Sequence, residues 1–159
     1  MSEGLLFALT LFAALGCGLI AGVFFAFSAF VMKALARLVP AEGIAAMQSI
    51  NVVVINPLFL GVFLGTGAAC AVVMIVSLAQ WDKPDAVYLL AGSALYLIGT
   101  FLVTIVFNVP LNNSLAAVAP SDPKGASLWI RYLASWTAWN HVRTAAALAA
   151  AASFTVALS

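Results

Sequence analysis

Apolar residues come in long unbroken runs, and polar residues collect between the runs rather than alternating with them. A helix needs about 20 apolar residues to cross a bilayer core. It is also the element that satisfies its own backbone hydrogen bonds in lipid. The runs therefore predict spanning helices over residues 5–32, 57–79, 86–109 and 136–158. The chain reads as one membrane domain over residues 1–159, all-α, an integral membrane four-helix bundle. Residues 41–55 fit neither a span nor a loop. Met47, Gln48, Asn51 and Ile55 share one helical face there, so an amphipathic segment is predicted. Asn56-Pro57 breaks it, because the residue before proline is biased away from helix. Pro110, flanked by Asn108, Asn112 and Asn113, is predicted to end the third span. Residues 80–85 make a short turn. Residues 114–135 make the longest loop, with Trp129, Arg131 and Tyr132 as an interfacial lead into the last span.

Composition agrees with this pattern. Hydrophobic residues make up 65% of the chain and charged residues 7%, against roughly 25% charged in a soluble domain. Mean hydropathy is +1.17. The partner of most of the surface is then the lipid bilayer. A net charge of +1 gives no footprint for nucleic acid. Ala14, Gly18, Gly22 and Ala26, and separately Gly61 and Gly65, line helix faces with small side chains. Such faces let helices pack closely in lipid and are compatible with a homo-oligomer. Cys17 and Cys70 stand alone inside apolar runs and read as small core residues. Lys33, Arg37, Lys124 and Arg131 fall in the loops after the first and third spans, whereas the opposite side holds Lys83. The positive-inside rule places those two loops in the cytoplasm and both termini outside, in a multi-pass protein of the inner (plasma) membrane.

The last span carries the candidate chemistry. Its wholly apolar part, residues 145–158, covers only about 21 Å of a core of roughly 30 Å. Either part of residues 136–144 enters the membrane or the bilayer thins there, which puts Asn140, His141 and Arg143 at or just below the headgroup boundary. Asn51, Asn56, Asn108, Asn112 and Asn113 lie at the same predicted depth on the neighbouring helices. Polar groups in lipid are costly unless they pair or serve a site. Two readings stand: a pocket open to the inner leaflet, or a hydrogen-bond network that only joins helices. Trp136, Trp139, Asn140 and Arg143 share one stripe, with His141 about 160° from Arg143 around the axis. In the pocket reading His141 points inward toward the third span, beside a polar neighbour, and Arg143 bends back toward the loops.

The run Asn108-x-Pro110-x-Asn112-Asn113, the run Trp136-x-x-Trp139-Asn140-His141-x-Arg143-Thr144, and Gly22 to Ser28 resemble the anthrone oxygenase-like family of small four-helix membrane proteins. The resemblance covers nearly the whole chain, and its most specific part is the Asn-His-x-Arg element. It implies oxidation of an anthrone to an anthraquinone by dioxygen, the activity assigned to members in fungal polyketide pathways.

That chemistry suits these residues. A methylene between two rings loses a proton to give a delocalised anion, which reacts with dioxygen without metal or flavin, so no cofactor and no metal site are expected. His141 is the candidate base, since imidazole ordinarily titrates near neutrality. Arg143, Asn140 or Asn112 would hold the phenolate oxygen. Trp136 and Trp139 would stack on flat rings. Asn51, Asn56, Asn108 and Asn113 would complete the lining. The alternative is a non-enzymatic protein that binds or transports a lipid-like molecule or a quinone through the same pocket.

Overall fold

The computed structural model describes residues 2–159 and is all-helical over them, with five helices rather than four. They are α1 (Glu3–Leu35), α2 (Pro40–Val53), α3 (Pro57–Ala79), α4 (Ala86–Ala116) and α5 (Gly125–Ala157). The extra helix is the amphipathic segment near residues 41–55. Pro40 opens it at a first-turn position, where a missing N–H costs nothing. Met47 and Ile44 are buried on one face. Gly43 lets it lie against the Trp129 indole, which an added Cβ would meet at 2.9 Å.

The chain passes back and forth between two ends. Glu3, Lys83 and Ala157 gather at one end, where Lys83 Nζ stands 3.4 Å from Glu3 Oε1. At the other, Gln48 of α2 donates to the carbonyls of Leu115 and Val118 at 2.8 and 2.9 Å, capping the end of α4. The helices α1, α4 and α5 are continuous rods of 33, 31 and 33 residues. The helices α2 and α3 run in the same sense and together form the fourth column, broken at Asn56-Pro57. Asn56 caps α3, its Oδ1 accepting from Phe59 N at 3.0 Å, while Pro57 takes the first helical position.

Two predicted boundaries move. The helix α4 does not end at Pro110 but continues to Ala116. Its backbone runs in π-helical turns over Leu95–Leu102 and Thr104–Asn108. The proline falls at the start of the α-helical stretch Val109–Ala116, just after the π-helical turn ends at Asn108. The last helix begins at Gly125 rather than 136, and the predicted loop shrinks to residues 117–124. Its first turns are covered by α2, and Trp129 and Tyr132 are buried there by protein.

Three helices, α1, α3 and α4, are long and apolar enough to cross a membrane. Their outward faces are leucine, isoleucine, valine and phenylalanine, with Leu58 80% exposed. The helix α5 falls short of that apolarity, because Asn140, His141 and Arg143 sit in its middle and weakly apolar alanine supplies most of the stretch 145–152 that follows.

In the small-residue stripe of α1, Ala14 packs against the core, whereas the two glycines have no close neighbour within the chain. An added Cβ at Gly18 or Gly22 meets nothing within 4 Å, and the same holds at Gly61. The inward face of α1 is instead Ala13, Gly16, Cys17, Ile20, Ala21 and Phe24. Close approach occurs at other glycines. Gly16 lies against the Thr66 side chain, and a Cβ at Gly99 would stand 2.5 Å from that of Ala146. Gly99→Ala should therefore destabilise by about 1–3 kcal/mol, the usual penalty of overpacking. Gly18→Ala should leave stability unchanged or slightly raised. Thermal unfolding of the two variants in detergent checks this, and equal melting temperatures would refute the α4–α5 contact.

Candidate functional site

The break between α2 and α3 opens a cavity of about 330 Å³ that reaches into the bundle. Its walls are mostly apolar, aliphatic side chains such as Met47, Ile50 and Leu60 alternating with six aromatic ones: Phe24 and Phe27 from α1, Phe59 and Phe63 from α3, Phe101 from α4 and Trp136 from α5. The spacings i, i+3 and i, i+4 put each pair on one helix face. The polar lining is short, consisting of Asn51, Thr104, Asn112 and Arg143. A mostly apolar cavity with few convergent polar groups is the usual form of a small-molecule site.

Arg143 is the polar centre. It is 4% exposed. One terminal nitrogen donates to Asn140 Oδ1 at 2.6 Å and the other to Thr104 Oγ1 at 3.2 Å. The guanidinium carbon lies 4.1 Å from the centroid of the Phe24 ring and 5.1 Å from that of Trp136. Asn140 is fully buried and donates to the Phe24 carbonyl and to Ser28 Oγ, both at 2.7 Å. This happens where α1 passes into a π-helical turn over Phe27–Val31. On the other side Asn112 Oδ1 accepts from Tyr132 Oη and from Trp136 Nε1, both at 2.8 Å. Asn108 donates to the Trp136 carbonyl at 3.2 Å.

None of these partners is charged. Burying an ion costs several kcal/mol, whereas a cation–π contact returns about 0.5–2 kcal/mol. The two rings and two neutral acceptors therefore compensate the guanidinium only in part, and Arg143 Nε has no hydrogen-bond partner.

The expected residues divide. Asn51, Asn112, Trp136 and Arg143 meet in the cavity lining. Asn140 stands behind Arg143 and Asn108 behind Trp136. Asn56 is the α3 cap, and Asn113 is exposed. Trp139 lies outside the cavity, stacked on Phe107 with ring centroids 3.6 Å apart. His141 is exposed on the far side of α5. It lines an open trough with Ser28, Met32, Lys33 and Thr137, and no hydrogen bond to it is present. It does not point inward, and Arg143 does not bend out toward the loops. Both follow from the helix: residues two apart lie on nearly opposite sides. The inward side went to the Asn140 and Arg143 stripe, for which α1 and α4 provide partners.

Sequence reasoning missed the phenylalanine walls, Ser28 and Tyr132. The paired phenylalanines at helical spacing were the available signal. Cys17 and Cys70 are free and fully buried where α1 meets α3. Among the described residues no three His, Cys, Asp or Glu side chains come together.

The model of the family described as anthrone oxygenase matches residues 58–153, more than half of the chain. No curated protein and no solved structure matches it. The matched stretch begins at the start of α3 and runs through α4 to near the end of α5. It contains Thr104, Asn112, Trp136, Asn140 and Arg143. The chain belongs to the anthrone oxygenase family.

Proposed function

We propose that this protein is an integral membrane oxygenase that takes a flat, apolar, anthrone-like molecule into the α2–α3 cavity and oxidises it with dioxygen. The observation that carries the reading is an apolar cavity, with six aromatic side chains in its walls, closing on one buried cation, Arg143. In such a substrate the methylene is acidic because its anion delocalises onto the carbonyl oxygen across the rings. Arg143, helped by the Asn112 and Asn51 amides, stabilises that oxygen as charge develops on it. The proton passes to water at the cavity mouth. The anion then gives up electrons to dioxygen and bonds to it at the former methylene carbon. Loss of the second methylene hydrogen as a proton then breaks the O–O bond: one oxygen atom remains as the new carbonyl, and the other leaves as hydroxide, which with the released protons makes water. Phe24, Phe59, Phe63 and Trp136 hold the rings in place against Arg143.

The lining contains no imidazole and no carboxylate, which favours a second reading: a non-enzymatic binder or carrier of a quinone or lipid-like molecule. Dioxygen uptake by the purified protein over a panel of anthrones separates the two. With an active substrate, Arg143→Gln should lower the rate by about 10²–10³, as loss of an oxyanion donor does. His141→Gln should cost less than about threefold, against the 10²–10⁴ of a general base. A large loss in His141→Gln would return the base to the trough and overturn this mechanism.

Under the same proposal α5 is the fourth span, with the loops near Lys33 and Lys124 in the cytoplasm and both termini outside. Cysteines introduced at positions 83 and 124 should then be labelled by an impermeant reagent from opposite faces of an oriented membrane. Labelling from one face refutes the topology.

A further inference from the structure

We infer that the molecule taken up by the α2–α3 cavity carries an ionised oxyanion, a carboxylate or phenolate on a flat apolar body, and that this group is the counter-ion of Arg143. The inference rests on the cavity reading above and adds the charge of its ligand. An arginine side chain stays protonated in proteins. Arg143 is 4% exposed yet lines the cavity. The chain's acidic residues are Glu3, Glu42, Asp82, Asp85 and Asp122. They lie in the first turns of α1 and α2 or in the loops, and the one ion pair among the described residues joins Glu3 to Lys83. No carboxylate of the chain is therefore placed to neutralise Arg143.

Geometry narrows the partner. The rings of Phe24 and Trp136 stand 4.1 and 5.1 Å from the guanidinium carbon, so its N–H edge is the polar side left to a partner. Two of its five N–H groups are taken by neutral acceptors, Asn140 Oδ1 and Thr104 Oγ1. In-plane N–H pairs are the arrangement that binds a planar oxyanion in bidentate fashion. Nothing in the cavity lining repels an anion, since its remaining polar groups are the amides of Asn51 and Asn112, the Thr104 hydroxyl and the Trp136 indole. The apolar walls require an apolar remainder of the ligand, and the rings of Phe24, Phe59, Phe63 and Trp136 among them favour a flat one.

The test measures binding to the full chain in neutral detergent, read by quenching of tryptophan fluorescence. The probes are anthracene-2-carboxylate, its neutral analogue 2-(hydroxymethyl)anthracene, and dodecanoate, which carries the same anion on a flexible chain. The carboxylate should bind the wild-type protein at least about tenfold more tightly than the alcohol, the scale of a buried charge-assisted pair. Arg143→Gln should erase that preference while alcohol binding persists, which also shows that the cavity is intact. Arg143→Lys keeps a cation and should keep part of the preference. Equal binding of acid and alcohol, or a preference that survives Arg143→Gln, overturns the inference. Dodecanoate binding more tightly than the aromatic acid overturns the flat body. A carboxylate preference without dioxygen uptake on any anthrone would sink the oxygenase reading and leave this one standing. Uptake without a preference would do the reverse.

Discussion

A guanidinium inside an apolar bundle has to be hydrogen-bonded, and much of the interior is arranged to do it. Asn140 lies three residues before Arg143 on the same face of α5, so its carboxamide oxygen reaches a terminal nitrogen. The amide nitrogen of the same side chain is then free to bind α1 at Phe24 and Ser28. Thr104 supplies the second acceptor from α4 and passes its own proton to the Thr100 carbonyl at 2.7 Å. One residue thus ties three helices through neutral groups. In a low dielectric such linked hydrogen bonds reinforce one another, and removing one member strands the others.

The cavity exists because the fourth column is broken and the rods beside it are not regular. Irregular backbone in a membrane protein is tolerated only where it is buried in protein or lines a cavity. Here Asn56 and Pro57 satisfy the break locally, so the Asn51 amide is left for the cavity rather than for the backbone. The π-helical turns of α1 and α4 fall on the two rods that flank the opening. Such turns often mark functional sites. At this one they bring Phe24, Phe27, Phe101 and Thr104 into the same walls.

Hydropathy made α3 legible to the residue, because Asn56-Pro57 marks its start and a polar turn its end. It could not reveal that α4 passes through Pro110, since a π-helical turn leaves no mark in apolar periodicity. It also cut α5 short. Trp129 and Tyr132 looked interfacial only because the helix that covers them, α2, was read as an amphipathic segment without a place. At the site the stripe geometry of α5 was legible and sufficient: Trp136, Asn140 and Arg143 face inward together. The same geometry already set His141 on the other side. It was placed inside on the strength of its chemistry, and the packing of α1 against Asn140 decides otherwise. The small-residue stripe of α1 shows a similar limit, because a pattern of glycines tells how close a neighbour can come and not whether one comes from within the chain.

The family match and the cavity do not have the same extent, and the difference divides the site by task. The matched residues 58–153 hold the polar end, Thr104, Asn112, Trp136 and Arg143, together with the Phe59, Phe63 and Phe101 wall. The opposite wall, Phe24 and Phe27 on α1 and Asn51 and Val54 on α2, lies outside the match. The buried cation, its acceptor Asn140 and one apolar wall are therefore carried by the matched part of the chain. The wall that faces them from α1 and α2 is carried by the part outside it. In the proposed function, such a site keeps one electrostatic centre while the facing wall selects the body of the ligand.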